Sequence, residues 1–258
     1  MRLSEKFSQL GSEGAFIAYL CAGDPTYEKS LEAVESVIQA GADVIELGLP
    51  FSDPIADGPT IQKASQRALS SGMNTRRYFE FAAQVHGLAD IPLVCMTYYN
   101  LLLRWGLRRF VESCVESGIT ALIIPDLPYE EACELEALCR KNQVDLIYIV
   151  AETTDEERLD EILSRAGGFL YVVSVLGTTG ARKNISPTLK KLLEKLKAET
   201  QIPLAVGFGV STPQHVSDIL CLGADAVIVG SGLIDQYQKK RGGLFEYAKS
   251  LKQATYKP

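Results

Sequence analysis

The chain has 258 residues, of which 47% are hydrophobic and 22% charged, which is typical of a globular protein that buries a large core. Its formal net charge of −6 leaves no excess of basic residues to neutralise a phosphate backbone, which excludes nucleic acid as the expected partner. No apolar run approaches the roughly 18 to 20 residues that cross a bilayer, and charged residues interrupt the N-terminal segment, where a secretory signal is apolar. We therefore expect a cytoplasmic protein.

Cysteine and histidine offer little for metal binding or nucleophilic catalysis. The six cysteines form no C-x-x-C pair and lie mostly in apolar segments, so we expect reduced core residues. The two histidines, His86 and His215, lie near the ends of predicted helices, where capping or solvent-facing roles are expected. We therefore predict neither a histidine-rich metal site nor a Ser-His-Asp triad.

Strand-like and helix-like segments alternate along the whole chain. Residues 2–11 have the spacing of a short amphipathic helix, which we expect to cover the bottom of a barrel. Eight apolar segments of strand length follow, each before a helical pattern, with a period of about 25 residues. They lie at 15–20, 43–48, 92–96, 121–124, 145–150, 169–174, 204–206 and 226–229. The second strand is followed by two helical patterns, at 59–71 and 75–88.

Eight such units in a chain of this length favour a (β/α)8 barrel, the TIM-barrel fold, over a doubly wound sheet. No linker or low-complexity segment interrupts the series. We predict a single barrel domain over residues 1–258, with an extra N-terminal helix and an extra helix after strand two. Active sites of such barrels lie in the loops beyond the C-terminal ends of the strands.

The second strand carries an acid at a position where an apolar residue is expected. Glu46 is two residues from both Val44 and Gly48, so these three side chains share one face of the strand. If that face lines the barrel interior, desolvation raises the pKa of Glu46 and suits it to general acid-base catalysis. A structural ion pair inside the barrel is the alternative.

Further acids lie in loops after strands two and four. Asp57 follows strand two and precedes Pro59, which suits the first turn of a helix. Asp53 is a weaker candidate, because an aspartate before a proline often only makes a turn. The same ambiguity applies to Asp126, after strand four.

Two glycine clusters follow strands seven and eight, at Gly207-Phe208-Gly209 and Gly230-Ser231-Gly232. That corner of a barrel commonly binds phosphate, because unhindered backbone N–H groups and a helix N-terminus point at the anion. Tight turns are the alternative for either cluster alone, but two clusters at both expected positions favour a single phosphate group. Gly180, in the long loop after strand six, is a candidate third contributor.

Aromatic and aliphatic side chains stand at or near the ends of several strands. Each alone is compatible with ordinary packing, but beside a phosphate site they predict a ligand with a planar ring at one end and a phosphate at the other. These residues are Tyr19, Met96, Tyr98, Tyr171 and Phe208.

Several motifs together resemble the tryptophan synthase alpha subunit over nearly the full chain. They are IELGLPFSDPIADGPTIQ at 45–62, AGDP at 22–25, PDLP at 125–128, GTTGAR at 177–182, GFGVSTP at 207–213 and IVGSGLI at 228–234. The resemblance implies a lyase of tryptophan biosynthesis that cleaves indole-3-glycerol phosphate to indole and glyceraldehyde 3-phosphate. It also implies no cofactor in this chain, and a beta subunit that carries pyridoxal phosphate in an α2β2 assembly with allosteric coupling.

The resemblance also implies roles for individual residues. Glu46 matches the acid that protonates indole C3, and Asp57 the acid that accepts a hydrogen bond from the ring N–H. The implied phosphate contacts are Gly180, Gly209, Gly230 and Ser231. The implied substrate contacts are Tyr19, which replaces a phenylalanine of the family, Met96, Tyr98, Asp126, Tyr171, Thr179, which pairs with Asp57 when its loop closes, and Phe208.

Two alternative functions stay open on the sequence. Another phosphate-binding barrel, an aldolase or a sugar-phosphate isomerase, is disfavoured because no lysine lies inside a predicted strand to form a Schiff base. The other alternative is a weakened subunit that mainly activates its beta partner. It arises because residues 175–180 lack the arginine that many members carry in this loop.

Overall fold

The computed structural model describes residues 1–173, 187–207, 209–239 and 243–256. Within these ranges nine parallel strands form one sheet. The strands are β1 (Ala15–Cys21), β2 (Val44–Gly48), β3 (Leu93–Met96), β4 (Ile119–Ile123), β5 (Asp145–Ile147), β6 (Ile149–Ala151), β7 (Leu170–Val173), β8 (Leu204–Gly207) and β9 (Ala226–Val229). Their order in the sheet is β5-β4-β3-β2-β1-β9-β8-β7-β6.

Helices follow the strands along the chain. They are α1 (Leu3–Leu10), α2 (Tyr27–Gln39), α3 (Pro59–Ser70), α4 (Thr75–His86), α5 (Tyr99–Trp105), α6 (Leu107–Glu116), α7 (Cys133–Lys141), α8 (Glu156–Arg165), α9 (Pro187–Glu199), α10 (Pro213–Cys221), α11 (Ser231–Lys239) and α12 (Leu244–Gln253), with a 3₁₀ turn at Tyr129–Glu131. None of the helices in the described ranges is long and apolar enough to span a bilayer.

The fifth predicted strand is divided in two at Tyr148. β5 pairs with β4, β6 pairs with β7, and one residue separates them, so the two pieces are one strand that closes the sheet. Ile147 and Ile149 face the interior of the barrel. Tyr148 faces outwards, and its hydroxyl donates a hydrogen bond to Glu136 of α7. The predicted (β/α)8 barrel is therefore confirmed, including the extra helix α1 and the extra helix after β2.

Alternate strand residues pack into two separate buried clusters. Ile17, Val44 and Val94 belong to an inner cluster, which contains no residue from the helices that follow β1. Leu3 of α1 is fully buried in the inner cluster, and Phe7 meets Phe169 edge to face at a centroid distance of 6.3 Å. α1 therefore covers the N-terminal end of the barrel, as its amphipathic spacing predicts.

Helix α5 is an element that the sequence analysis did not predict. It lies between β3 and the helix expected near residue 107, and Gly106 separates the two helices with a φ of 91°. Gly106 both ends α5 and precedes α6, so an apolar run that looked like a loop and one helix is two short helices.

The cysteine prediction holds for most of the six. Cys21, Cys95, Cys114 and Cys139 are buried, and all six cysteines are free thiols. Cys133 and Cys221 are exposed on α7 and α10, which corrects the expectation of core positions for these two.

Two polar side-chain contacts position α3, the helix that follows Asp57. Nε and Nη2 of Arg67 donate to the two oxygens of the buried Asp24 carboxylate, at 2.6 and 2.8 Å. In the first turn, Thr60 Oγ1 donates to Asp235 of α11 at 3.3 Å. Arg67 lies in the last turn of α3, and a bidentate pair on a buried carboxylate is among the stronger polar contacts in proteins, so the two contacts together hold both ends of α3.

Candidate active site

A cavity of about 510 Å³ opens at the C-terminal ends of the strands. This is the end at which barrel enzymes bind their substrates. The structure brings eight of the predicted site residues together in its lining. From the strands come Tyr19, Glu46, Met96 and Tyr171, from the loops come Asp57, Gly209 and Gly230, and from the start of α11 comes Ser231.

Glu46 lies deepest among the acids of this cavity. It pairs in register with Tyr19 of β1 and Val94 of β3, and it is only 1% exposed. Its Oε2 accepts no hydrogen bond, and among the described residues it forms no ion pair. Burial, and then the nearby charge of Asp57, raise the pKa of Glu46 to about 8. Within the described ranges Glu46 is therefore a buried carboxylic acid without a cation, which disfavours the structural ion pair considered as the alternative.

Asp57 approaches the same cavity from the loop between β2 and α3. A turn places it, with its N–H donating to the carbonyl of Pro54 at 3.1 Å, and Pro59 then begins α3 in the predicted way. Burial raises the pKa of Asp57 to about 6, although a hydrogen bond with the Tyr98 hydroxyl acts in the opposite direction. The cavity therefore holds two carboxyl groups whose environments separate their pKa values.

Tyr98 and Asp126 lie outside the lining of this cavity. The hydroxyl of Tyr98 accepts a hydrogen bond from Ala56 N at 3.0 Å, and its ring stacks on Phe51, so it supports the loop that carries Asp57. Asp126 accepts a hydrogen bond from Tyr99 N at 2.8 Å and is exposed beside a smaller cavity of about 360 Å³. The two cavities share the wall formed by Pro125 and Ile149.

The glycine corner lies at the loop after β8 and the start of α11. Gly209 has a φ of 83°, a conformation that L side chains rarely adopt. A Cβ on Gly230 would lie 3.0 Å from the ring of Tyr19, so this position has little room for a side chain. Ser231 is the first residue of α11, and unpaired N–H groups at a helix start favour anions.

Three predicted site residues, Thr179, Gly180 and Phe208, lie outside the residues that the structure describes. Several apolar lining residues were not predicted from the sequence, among them Ile61, Ile149 and Val173. Val173 is two residues after Tyr171 in β7, so strand alternation could have placed both on the inner face. In the described ranges, no group of three or more His, Cys, Asp or Glu residues is arranged to hold a metal ion.

Fold and site together define a (β/α)8-barrel enzyme with a pair of carboxyl groups at the mouth of the barrel. The family model for the tryptophan synthase alpha chain matches residues 7–256. The chain belongs to the tryptophan synthase alpha chain family.

Individual relatives agree over nearly the whole chain. The tryptophan synthase alpha chain of Methanosarcina barkeri is 50% identical over 256 residues, which are 97% of this chain and 96% of that one. The structure of tryptophan synthase subunit alpha from Legionella pneumophila is 33% identical, with a TM-score of 0.90 and 98% coverage of both chains. A structure of tryptophan synthase from M. tuberculosis in an aminoacrylate-bound form is 31% identical, with a TM-score of 0.89 and coverage of 98% and 99%.

Family membership confirms the resemblance drawn from the motifs. The chain is a carbon–carbon lyase of tryptophan biosynthesis, whose reaction cleaves indole-3-glycerol phosphate to indole and glyceraldehyde 3-phosphate. An aldolase or a sugar-phosphate isomerase is thereby set aside, and the weakened activating subunit is not favoured.

Proposed function

We propose that Glu46 and Asp57 carry the cleavage of indole-3-glycerol phosphate in this chain. The observation that supports this assignment is the pair of unequal pKa values in one cavity, about 8 for Glu46 and about 6 for Asp57. At neutral pH Glu46 then holds a proton to donate, whereas Asp57 is ionised and accepts hydrogen bonds. One carboxyl group is an acid and the other an electrostatic stabiliser.

The reaction needs both groups because the bond to be broken joins two carbons. Protonation of indole C3 by Glu46 gives an indolenine, whose ring nitrogen can take up the electron pair of the breaking bond. Asp57 accepts a hydrogen bond from the ring N–H and stabilises the positive charge that develops there. As the bond breaks, the hydroxyl on the leaving carbon becomes the aldehyde, and its proton returns to Glu46. The protein therefore regains its starting protonation state.

The remaining site residues bind the two ends of the substrate. The N–H groups of Gly209, Gly230 and Ser231 would hold the phosphate, together with the predicted contribution of Gly180. Met96 and the predicted Phe208 would wall the indole ring, while Tyr171 lies towards the glycerol chain. Tyr98 and Asp126 would act through the loops they support. Thr179 is the predicted partner of Asp57 on closure of the loop after β7.

The wider assembly is part of the same proposal. The chain would act as one domain over residues 1–258, without a cofactor of its own, in the cytoplasm. Its partner would be a beta subunit that carries pyridoxal phosphate, in an α2β2 heterotetramer with allosteric coupling between the subunits. Similarity to the M. tuberculosis tryptophan synthase structure supports a beta-subunit partner.

The test is product formation from indole-3-glycerol phosphate by the purified chain, with and without a beta subunit. We expect indole and glyceraldehyde 3-phosphate in equal amounts, formed faster when the beta subunit is present. The opposing outcome is no indole under either condition while the partner's conversion of serine and indole accelerates. That result would make the chain an activating subunit.

A further inference from the structure

Tyr19 lies at the mouth of the barrel, between Gly230 of the glycine corner and Glu46 of β2. It lies on β1, in register with Glu46 of β2, and is 4% exposed. Its ring contacts the loop after β9, where a Cβ on Gly230 would lie 3.0 Å from Cδ1. Its hydroxyl is at the end of β2, where a Cβ on Gly48 would lie 2.3 Å from the oxygen. Glycine at position 48 therefore leaves the space that this hydroxyl occupies.

The hydroxyl of Tyr19 forms no hydrogen bond with the part of the chain that the structure describes. Among the described residues the only fully buried side-chain oxygen or nitrogen without a partner is Oε2 of Glu46, so the unpaired oxygen of Tyr19 is open to the cavity that this residue lines. Phenylalanine would fill nearly the same space without a hydroxyl. Burial raises the pKa of Tyr19 well above its ordinary value, so the group is a neutral donor over the working range of the enzyme. The Tyr19 hydroxyl can therefore donate a hydrogen bond to a ligand bound in the cavity.

The three-carbon glycerol chain of the substrate is the part that would lie beside the Tyr19 hydroxyl. If Asp57 binds the indole ring and Gly230 and Ser231 bind the phosphate, the three-carbon chain between them crosses the ring of Tyr19. That chain bears two hydroxyls, which accept hydrogen bonds from a phenol. We infer that Tyr19 is a specificity-determining residue whose hydroxyl binds a hydroxyl of the substrate chain, rather than only a wall of the indole pocket. This inference rests on the proposed function.

The test compares two ligands that differ only in the chain hydroxyls. One is indole-3-glycerol phosphate, and the other is 3-(indol-3-yl)propyl phosphate, which keeps the ring, the chain length and the phosphate. Binding is measured by calorimetry in Glu46→Gln, which prevents turnover, and in the double variant Glu46→Gln/Tyr19→Phe. We expect Tyr19→Phe to weaken indole-3-glycerol phosphate about tenfold and to leave the propyl phosphate within twofold, because only the first ligand has hydroxyls to lose a bond.

The outcomes separate this inference from the function on which it rests. Equal affinity of both variants for indole-3-glycerol phosphate, or an equal loss for both ligands, would overturn the inference, since the second result indicates packing alone. Failure of Glu46→Gln to bind both ligands, together with no indole release by the wild-type chain, would instead overturn the proposed function. The retained affinity for the propyl phosphate is also the control that the double variant is folded.

Discussion

Replacing Glu46 with glutamine is expected to lower the rate of indole release by a factor on the order of 10² to 10⁴, the range typical of a lost general acid. Glutamine keeps the shape of the side chain in its buried position but cannot give a proton to carbon. The measurement is kcat for indole release from indole-3-glycerol phosphate at neutral pH. An unaffected KM with a reduced kcat would locate the loss in the chemical step.

Stability measurements separate this effect from unfolding. The pKa of Glu46 is about 8 in the folded protein, whereas a glutamate in an unfolded chain has a pKa of about 4.3. The folded state therefore binds the extra proton between these values, so the wild-type protein loses stability as pH rises from about 4 to 8. Glutamine has no such loss, and Glu46→Gln should be at least as stable as the wild type at pH 8.

The matched control is Glu35→Gln on the outer face of α2, where Glu35 is exposed. This variant makes the same chemical change outside the cavity and should keep the wild-type rate. The assignment of Glu46 is wrong if Glu46→Gln retains more than a tenth of the wild-type kcat. It is also unsupported if the lost activity accompanies a lower melting temperature at pH 8.

Replacing Asp57 with asparagine is expected to lower kcat by about 10² to 10³, as for the loss of one preorganised electrostatic contact. Asparagine can still accept a hydrogen bond from the ring N–H, but it has no charge to stabilise the positive ring nitrogen. The charge of Asp57 also raises the pKa of Glu46, so its removal should lower that pKa. The measurements are kcat and the alkaline limb of the pH profile, which should move to lower pH.

Asp53→Asn provides the control within the same loop. Asp53 is exposed and is not part of the cavity lining, so its substitution should change indole release by the isolated chain less than twofold. Equal losses in Asp53→Asn and Asp57→Asn would indicate that the loop conformation, and not the charge at position 57, controls the rate.

The sequence alone could place Glu46 but could not establish its proton affinity. A single acid in an apolar strand, with Val44 and Gly48 two residues away, is enough to put it on the inner face by period-two alternation. Its pKa depends on desolvation by residues from other elements, among them Tyr19 and Met96, and on the approach of Asp57. These residues come close to Glu46 only in the folded barrel, so its pKa could not be predicted from the sequence.

Residues at strand ends were harder to orient from the sequence. Tyr98 follows Met96 by two positions and would share its face if β3 continued. The strand ends at Met96, however, and α5 begins at Tyr99, so the alternation stops and Tyr98 packs under the loop that carries Asp57. Asp126 likewise accepts a backbone hydrogen bond at the start of α5. Alternation predicts side-chain direction only within a regular strand.

Contacts between distant segments were not accessible from the sequence. The pair Arg67 and Asp24 joins residues 43 positions apart, and Thr60 meets Asp235 across 175 positions. No local pattern specifies either partner, because each depends on how α3 packs between the end of β1 and α11. The helix itself was predictable from Pro59 and the spacing after it.

The measurement that tests the central claim most directly is the pH dependence of kcat/KM for indole release by the wild-type chain. Ionised Asp57 and protonated Glu46 predict a bell-shaped profile that rises near pH 6 and falls near pH 8. A rate that stays constant or continues to increase above pH 9 would contradict the assignment of a protonated Glu46 as the catalytic acid.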